Sequence, residues 1–286
     1  MSRHLIYTSL AMRELDREVA DIARSEVKVL LTGESGAGKD VVARLIHERG
    51  NRRGPFVRIN CATVPERLLE WQLFGHVQGT FPGAQADTRG RLDQAQGGTI
   101  VLDGIIDLSA RLQTLLLPFL ERGEVRRVGS DRVEVLRDVR VIATASRNLF
   151  GAVEAQRFRE DLYYRLNIIH LVVPPLRERP EDIMPLVGHF LDRFSESYEL
   201  PRPRLSLQAR ARLKNYACPG NVRELGKVVE QMILSCRTGV ISAADLPPVV
   251  CGVQPTRSRD ASGRASRLAP SVCNVSSNLN AVSGSL

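Results

Sequence analysis

Residues 33–40 read Gly-Glu-Ser-Gly-Ala-Gly-Lys-Asp and follow directly on the apolar run Val27-Lys28-Val29-Leu30-Leu31. Closely spaced glycines let a backbone turn sharply, so that successive N–H groups converge on one anion. The helix read over residues 40–49 adds partial positive charge at its first turn. Lys39 stands where a flexible cation can reach the outer phosphates of a polyphosphate. A buried strand, a glycine loop ending in Gly-Lys and a helix together predict a phosphate cradle. Its residues are Gly33, Glu34, Ser35, Gly36, Ala37, Gly38, Lys39 and Asp40. The plainer alternative is a glycine-rich turn that binds nothing, and the flanking strand and helix argue against it.

A chain of 286 residues holds one large or two modest domains with a substantial core. Hydrophobic residues at 43% and charged residues at 25% match ordinary globular protein. No apolar run approaches the span of a bilayer and the N-terminus lacks a signal-peptide core, so a cytoplasmic location is expected. Cys61, Cys218, Cys236, Cys251 and Cys273 are scattered, with no Cys-x-x-Cys pair, which favours free thiols over disulfides or zinc. The net charge of +8 fits an affinity for polyanions. Part of that excess lies in Arg257, Arg259, Arg264 and Arg267, within a stretch that reads as solvated.

Short apolar runs predict buried strands at residues 27–32, 56–59, 99–103, 139–144 and 168–173. Leu112, Leu115, Leu116, Phe119 and Leu120 recur at helical spacing. Strands with little polar alternation, separated by helices, predict an α/β fold whose parallel sheet is covered on both faces. After Pro174-Pro175 the strand pattern stops, and residues 183–198, 206–216 and 221–236 read as helices, with Asn221 as the cap of the last. The expected organisation is an α/β domain over residues 1–174, a small all-helical domain over 175–249 and a disordered tail over 250–286.

Further stretches follow the loop in order. They are Phe-Val-Arg-Ile-Asn-Cys-Ala (56–62), Leu-Phe-Gly-His (73–76), Gly-Thr-Phe-Pro-Gly-Ala (79–84) and Gly-Gly-Thr-Ile-Val-Leu-Asp (97–103). Then come Gly-Glu-Val-Arg-Arg-Val-Gly (123–129), Phe-Arg-Glu-Asp-Leu-Tyr-Tyr-Arg-Leu-Asn (158–167), Pro-Pro-Leu-Arg-Glu-Arg (174–179) and Pro-Gly-Asn-Val-Arg-Glu-Leu (219–225). Taken together, from about Ile6 to Pro247, the chain resembles the central AAA+ domain of bacterial enhancer-binding proteins, the ATPases that activate sigma-54 RNA polymerase. The resemblance implies an AAA+ P-loop sheet sandwiched by helices, followed by a small helical lid, with ATP and Mg²⁺ as ligands.

Residue roles follow from the resemblance position by position. Lys39 is implied to hold the β- and γ-phosphates. Asp40 stands where many P-loops carry Ser or Thr, and its carboxylate suits Mg²⁺. Asp103 matches the Walker B aspartate that helps position Mg²⁺. Arg159 and Arg165 match the pair that supplies arginine fingers to the neighbouring subunit's nucleotide; the plainer reading is surface pairing with Glu160 or Asp161. Arg223 matches the sensor II arginine of the lid. Asn60 matches the asparagine that restrains the Walker B glutamate.

That glutamate is missing: the family reads Asp-Glu and this chain reads Asp103-Gly104. Loss of a general base costs on the order of 10²–10⁴ in rate. Asp107 lies nearby, but the family has an acid there with a different role. The family's sigma-54 contact loop reads Gly-Ala-Phe-Thr-Gly-Ala; here it is Gly79-Thr80-Phe81-Pro82-Gly83-Ala84. Pro82 lacks both an N–H and a hydroxyl and restricts Phe81. Ala143-Thr144-Ala145-Ser146-Arg147 alters the sensor I pattern Ala-Ala-Thr-Asn-Arg, Gln72 replaces a glutamate, and Cys218 replaces a tryptophan. The expected function is an ATP-binding, sigma-54-interacting transcription regulator with weakened hydrolysis, assembled as a ring (a hexamer in the family) with itself or a related activator. The alternative is a non-hydrolysing partner subunit of a competent activator. No receiver or ligand-sensing pattern precedes Ile6, and no helix-turn-helix follows Pro247 that would support DNA binding.

Overall fold

The computed structural model describes residues 5–146 and 149–250. The readings made for residues 251–286 and for Arg147 lie outside them. The centre is a five-stranded sheet: β1 Val29–Thr32, β2 Phe56–Asn60, β3 Thr99–Asp103, β4 Arg140–Ala145 and β5 Ile169–Val172. The spatial order is β2-β3-β4-β1-β5, and every pairing is parallel. The continuous apolar runs are the central strands, where neither face meets water. β1 and β4 are buried at every position, and β3 at every position but Asp103. The edge strand β2 alternates, with exposed Arg58 between buried Val57 and Ile59.

Successive strand residues face opposite sides. Leu30, Ile100, Leu102, Val141 and Ala143 pack with Leu69, Leu73, Leu112 and Leu116, from helices α3 Glu66–Phe74 and α4 Ala110–Arg122. Val29, Leu31, Val101, Ile142 and Leu171 pack with Met12, Leu15, Val19, Val42 and Ile46, from helices α1 Leu10–Ala23 and α2 Lys39–Glu48. Ser9 and Ser109 cap α1 and α4 by accepting from the Met12 and Leu112 N–H groups. Buried Asp182 anchors the start of α1, accepting from the Thr8 N–H at 2.5 Å, the Ser9 N–H at 2.8 Å and the Ser9 hydroxyl at 2.7 Å.

The described residues divide into two compact units, one within residues 1–189 and 217–226 and the other within 190–216 and 227–250. The first holds the sheet and a short helix, α5 Glu160–Leu166. Beyond it run α6 Ile183–Ser197, α7 Leu207–Lys214 and α8 Asn221–Ser235, with α6 and α8 contributing residues to both units. The second unit buries Leu191, Ala209, Leu213, Val228, Val229, Met232 and Ile233, and carries a short parallel pair, Arg204–Leu205 with Val240–Ile241.

Asn221 does not cap α8 as the sequence suggests. Its backbone is left-handed (φ 57°), and its carboxamide oxygen accepts the Leu176 N–H at 2.8 Å. Glu224 reaches back instead and accepts the Gly220 N–H at 2.6 Å. Among the described residues Cys61, Cys218 and Cys236 are free, and burial pushes the Cys61 and Cys218 thiols up to about 12. No described helix is long and apolar enough to cross a membrane.

Candidate functional site

β1 ends at Thr32 and the chain enters the glycine loop, which closes with Gly38 as the N-terminal residue before α2. No side chain caps α2, so its first N–H groups point outward from a dipole end that favours anions. A side chain at Gly36 would put its Cβ 2.4 Å from the Gly220 carbonyl oxygen, so the close approach of these two loops needs glycine. The Lys39 ammonium donates to the carbonyls of Gly33 at 2.7 Å and Glu34 at 3.0 Å, which holds it over the loop. Burial lowers the Lys39 pKa, and the charges of Asp103, Asp40 and Glu34 partly restore it.

The loop is clamped from the segment after β5 and the start of α8. Arg177 forms a two-pronged pair with Glu34, both contacts 2.7 Å, and buried Arg179 donates to the Ala37 carbonyl at 2.7 Å. Asn221 donates to Glu34 and to the Ser35 carbonyl, each at 3.1 Å. Arg223 donates to the Ser35 hydroxyl at 2.9 Å. The structure therefore brings the predicted Arg223 onto the loop. It also adds Arg177, Arg179 and Asn221, whose contacts span distances that local pattern does not encode.

The sheet supplies the other half of the site. Parallel register sets Asn60, Asp103 and Thr144 side by side at the carboxyl ends of β2, β3 and β4. The Thr144 hydroxyl donates to Asp103 Oδ1 at 2.6 Å, and Arg58 ion-pairs with Asp103 Oδ2. Burial opposes ionisation of Asp103. The hydrogen bonds from Arg58 and Thr144, with the charges of Arg58 and Lys39, outweigh it and hold the carboxyl below its usual range. Asn60 turns its carboxamide oxygen to the N–H groups of Ala62, at 2.9 Å, and Thr63, at 3.2 Å. Gly104 follows Asp103 in the left-handed region (φ 76°, ψ 43°) and donates its N–H to the Thr144 carbonyl at 3.1 Å. The Asp107 carboxylate lies 3.3 Å from where a Cβ on residue 104 would sit.

Arg159 and Arg165 stand apart from this cluster. Arg159 grips Asp161 through two nitrogens, at 3.0 and 2.7 Å, and Arg165 pairs with Glu121 at 3.0 Å. Both side chains are about half exposed. The loop from Gly79 to Ala84 closes on itself, with the Gly79 N–H on the Ala84 carbonyl at 3.0 Å and the Ala84 N–H on the Phe81 carbonyl at 3.0 Å. The Thr80 hydroxyl donates to the Val77 carbonyl at 2.6 Å and the Val128 carbonyl at 3.2 Å. Phe81 lies flat on Trp71, with centroids 3.7 Å apart and planes 6° from parallel, and tilts against His76 at 4.9 Å.

These groups fit a polyphosphate: a glycine cradle, a helix N-terminus and the cations Lys39 and Arg223. Asp40 and Asp103 are hard oxygen donors of the kind Mg²⁺ takes. Among the described residues no group of three or more His, Cys, Asp or Glu side chains could hold a metal ion. An ion here would therefore complete its shell with phosphate oxygens and water.

Residues 5–172 match the Sigma-54 interaction domain family. The chain belongs to this family. Residues 177–263 match the AAA+ ATPase lid domain. Regulatory protein AtoC of Escherichia coli (strain K12) is 42% identical over 248 residues, covering 86% of this chain and 54% of AtoC. Response regulator protein PilR of Pseudomonas aeruginosa is 44% identical over 247 residues, covering 86% of this chain and 55% of PilR. The chain thus spans about half the length of these curated relatives. Among solved structures, NtrX from Brucella abortus in complex with ATP superposes with a TM-score of 0.79 at 33% identity, covering 87% of this chain and 57% of that one. NtrX in complex with ADP gives a TM-score of 0.80 at 33% identity, covering 86% and 56%. The AAA+ architecture expected from the sequence, a parallel sheet between helices followed by a lid, is the architecture found.

Proposed function

We propose that this sigma-54 interaction domain binds ATP in the cradle of residues 33–40, acts as a transcription regulator on sigma-54 RNA polymerase in the cytoplasm, and hydrolyses ATP weakly. One observation carries the reading: Lys39, Arg223 and Asp103 converge on the cradle while position 104 has no side chain. Lys39 would hold the outer phosphates, exchanging the Gly33 and Glu34 carbonyls for phosphate oxygens. Arg223 would tie α8 to bound nucleotide. Asp40 and Asp103 would hold Mg²⁺, which when bound neutralises phosphate charge. The crystallised complexes of NtrX with ATP and ADP, at 33% identity, support a nucleotide as the ligand.

Arg159 and Arg165 fit the finger role through exposure. Each is held by one carboxylate partner at the surface, where a neighbouring subunit's phosphates could take it over in a ring. The surface loop with Phe81 is the contact for sigma-54. Phe81 is partly exposed where it rests on Trp71. A second reading is favoured by the coincidence of Gly104 and Pro82: a partner subunit that lends its fingers to a competent activator without turning over ATP itself. Mixing the protein with such an activator separates the two. Unchanged activity and oligomer distribution of the activator would count against the partner role.

Lys39→Ala tests nucleotide binding directly. Affinity for a fluorescent ATP analogue is expected to fall by about tenfold or more, about 1.4 kcal/mol, with the circular dichroism spectrum unchanged. Equal affinity in both proteins would remove the cradle from the account.

A further inference from the structure

Arg58 is a cation that the phosphate cradle does not explain. It sits on β2 two residues before Asn60, so the strand repeat puts it on the same sheet face as Asn60, and register makes Asn60 the direct neighbour of Asp103. From one row away the guanidinium reaches Asp103 Oδ2, while the Thr144 hydroxyl holds Oδ1 at 2.6 Å. Each carboxylate oxygen therefore carries a donor. The pair is not sealed: the Arg58 side chain is 43% exposed and that of Asp103 22%. Nη2 of the guanidinium makes the contact with Asp103.

A divalent cation and a guanidinium compete for the same carboxylate lone pairs, and their like charges repel at short range. Lys39 and Arg58 both lie in the field of Asp103 and Asp40, so these carboxylates already face two cations without a metal. We propose that Arg58 is a resident counter-ion of Asp103 that supplies part of the positive charge a divalent cation would bring, so that nucleotide binding by this chain depends only weakly on Mg²⁺. The inference rests on the nucleotide-binding reading above. It assigns Arg58 a counter-ion role that the Walker pattern does not contain.

The test is the affinity of a fluorescent ATP analogue for the full chain in excess Mg²⁺ and in EDTA, for wild type, Arg58→Met and Arg58→Lys. Exposure of Arg58 on an edge strand keeps both variants foldable. Wild type is expected to bind within about threefold in the two conditions, and Arg58→Met to bind about tenfold or more weakly in EDTA. Arg58→Lys, which keeps the charge, is expected to lie nearer wild type than the methionine variant does. Equal Mg²⁺ dependence in wild type and Arg58→Met, or a lysine variant as Mg²⁺-dependent as the methionine one, would overturn the counter-ion role while leaving nucleotide binding intact. No binding by wild type in either condition would overturn the nucleotide reading itself, and this inference with it.

Discussion

Gly104 acts in two ways at the residue scale: it removes a carboxylate, and it lets the backbone adopt a left-handed turn after Asp103. An L-residue in that region costs about 1–2 kcal/mol, and Asn less than most. A Cβ there would also press on Asp107 Oδ2 at 3.3 Å and touch the Ala62 Cβ at 3.4 Å. Gly104→Ala is therefore expected to lower stability by about 1 kcal/mol, or roughly 2–4 °C in Tm, with Gly104→Asn milder. An alanine variant as stable as wild type in urea or thermal unfolding would show that the turn differs. Gly104→Glu, expected to raise turnover, carries the same strain, so its gain in rate comes with a lower Tm. Asp103 makes a separate prediction. Its folded pKa lies below the ordinary value, so its stabilising contribution is present above about pH 4 and is lost as pH falls through the folded pKa. Asp103→Asn should therefore be less stable than wild type at about pH 6, with the gap narrowing as pH falls below about 4 in urea unfolding. A gap that stays constant across that range would remove the ionised pair with Arg58.

At the scale of elements, the carboxyl edge of the sheet gathers the chemistry because three neighbouring strands carry polar residues in one row at or next to their ends. β2 contributes Asn60 and, one row back, Arg58; β3 contributes Asp103; β4 contributes Thr144. The surface loop of residues 79–84 has its own organisation. Thr80 binds it to the carbonyls of Val77 and Val128, and Phe81 covers the chain's single tryptophan. A stacked aromatic pair contributes about 0.5–1.5 kcal/mol beyond burial, enough to hold a short loop down. Phe81→Ala should expose Trp71 to water, shifting its fluorescence to the red and increasing quenching by acrylamide. Identical emission and quenching in the two proteins would mean that Phe81 does not rest on Trp71 in solution.

Across the whole molecule, what the sequence shows and what it hides divide along contact distance. The central strands are legible because burial on both faces leaves an uninterrupted local apolar run, and α2 because its buried Val42, Leu45 and Ile46 recur at helical spacing. The glycine loop is legible because a phosphate cradle is contiguous in the chain. The Arg58–Asp103 pair is hidden because it depends on β2 lying beside β3, a fact of strand order. Asn221 is misread because a cap and a long-range hydrogen bond demand the same side chain; its partner, the Leu176 N–H, lies 45 residues away and takes it. Thr144 is visible as a departure from the sensor I pattern, but its bond to Asp103 emerges only from register.

The central claim is that an intact nucleotide cradle stands beside a hydrolytic centre lacking its carboxylate. Steady-state ATPase of the purified chain tests it most directly, run beside a sigma-54 activator that carries Asp-Glu in place of Asp103-Gly104. Saturable ATP binding with turnover about 10²–10⁴-fold below that activator is the predicted result. Turnover within about tenfold of it would contradict the account and direct attention to Asp107 as the carboxylate beside the attacking water.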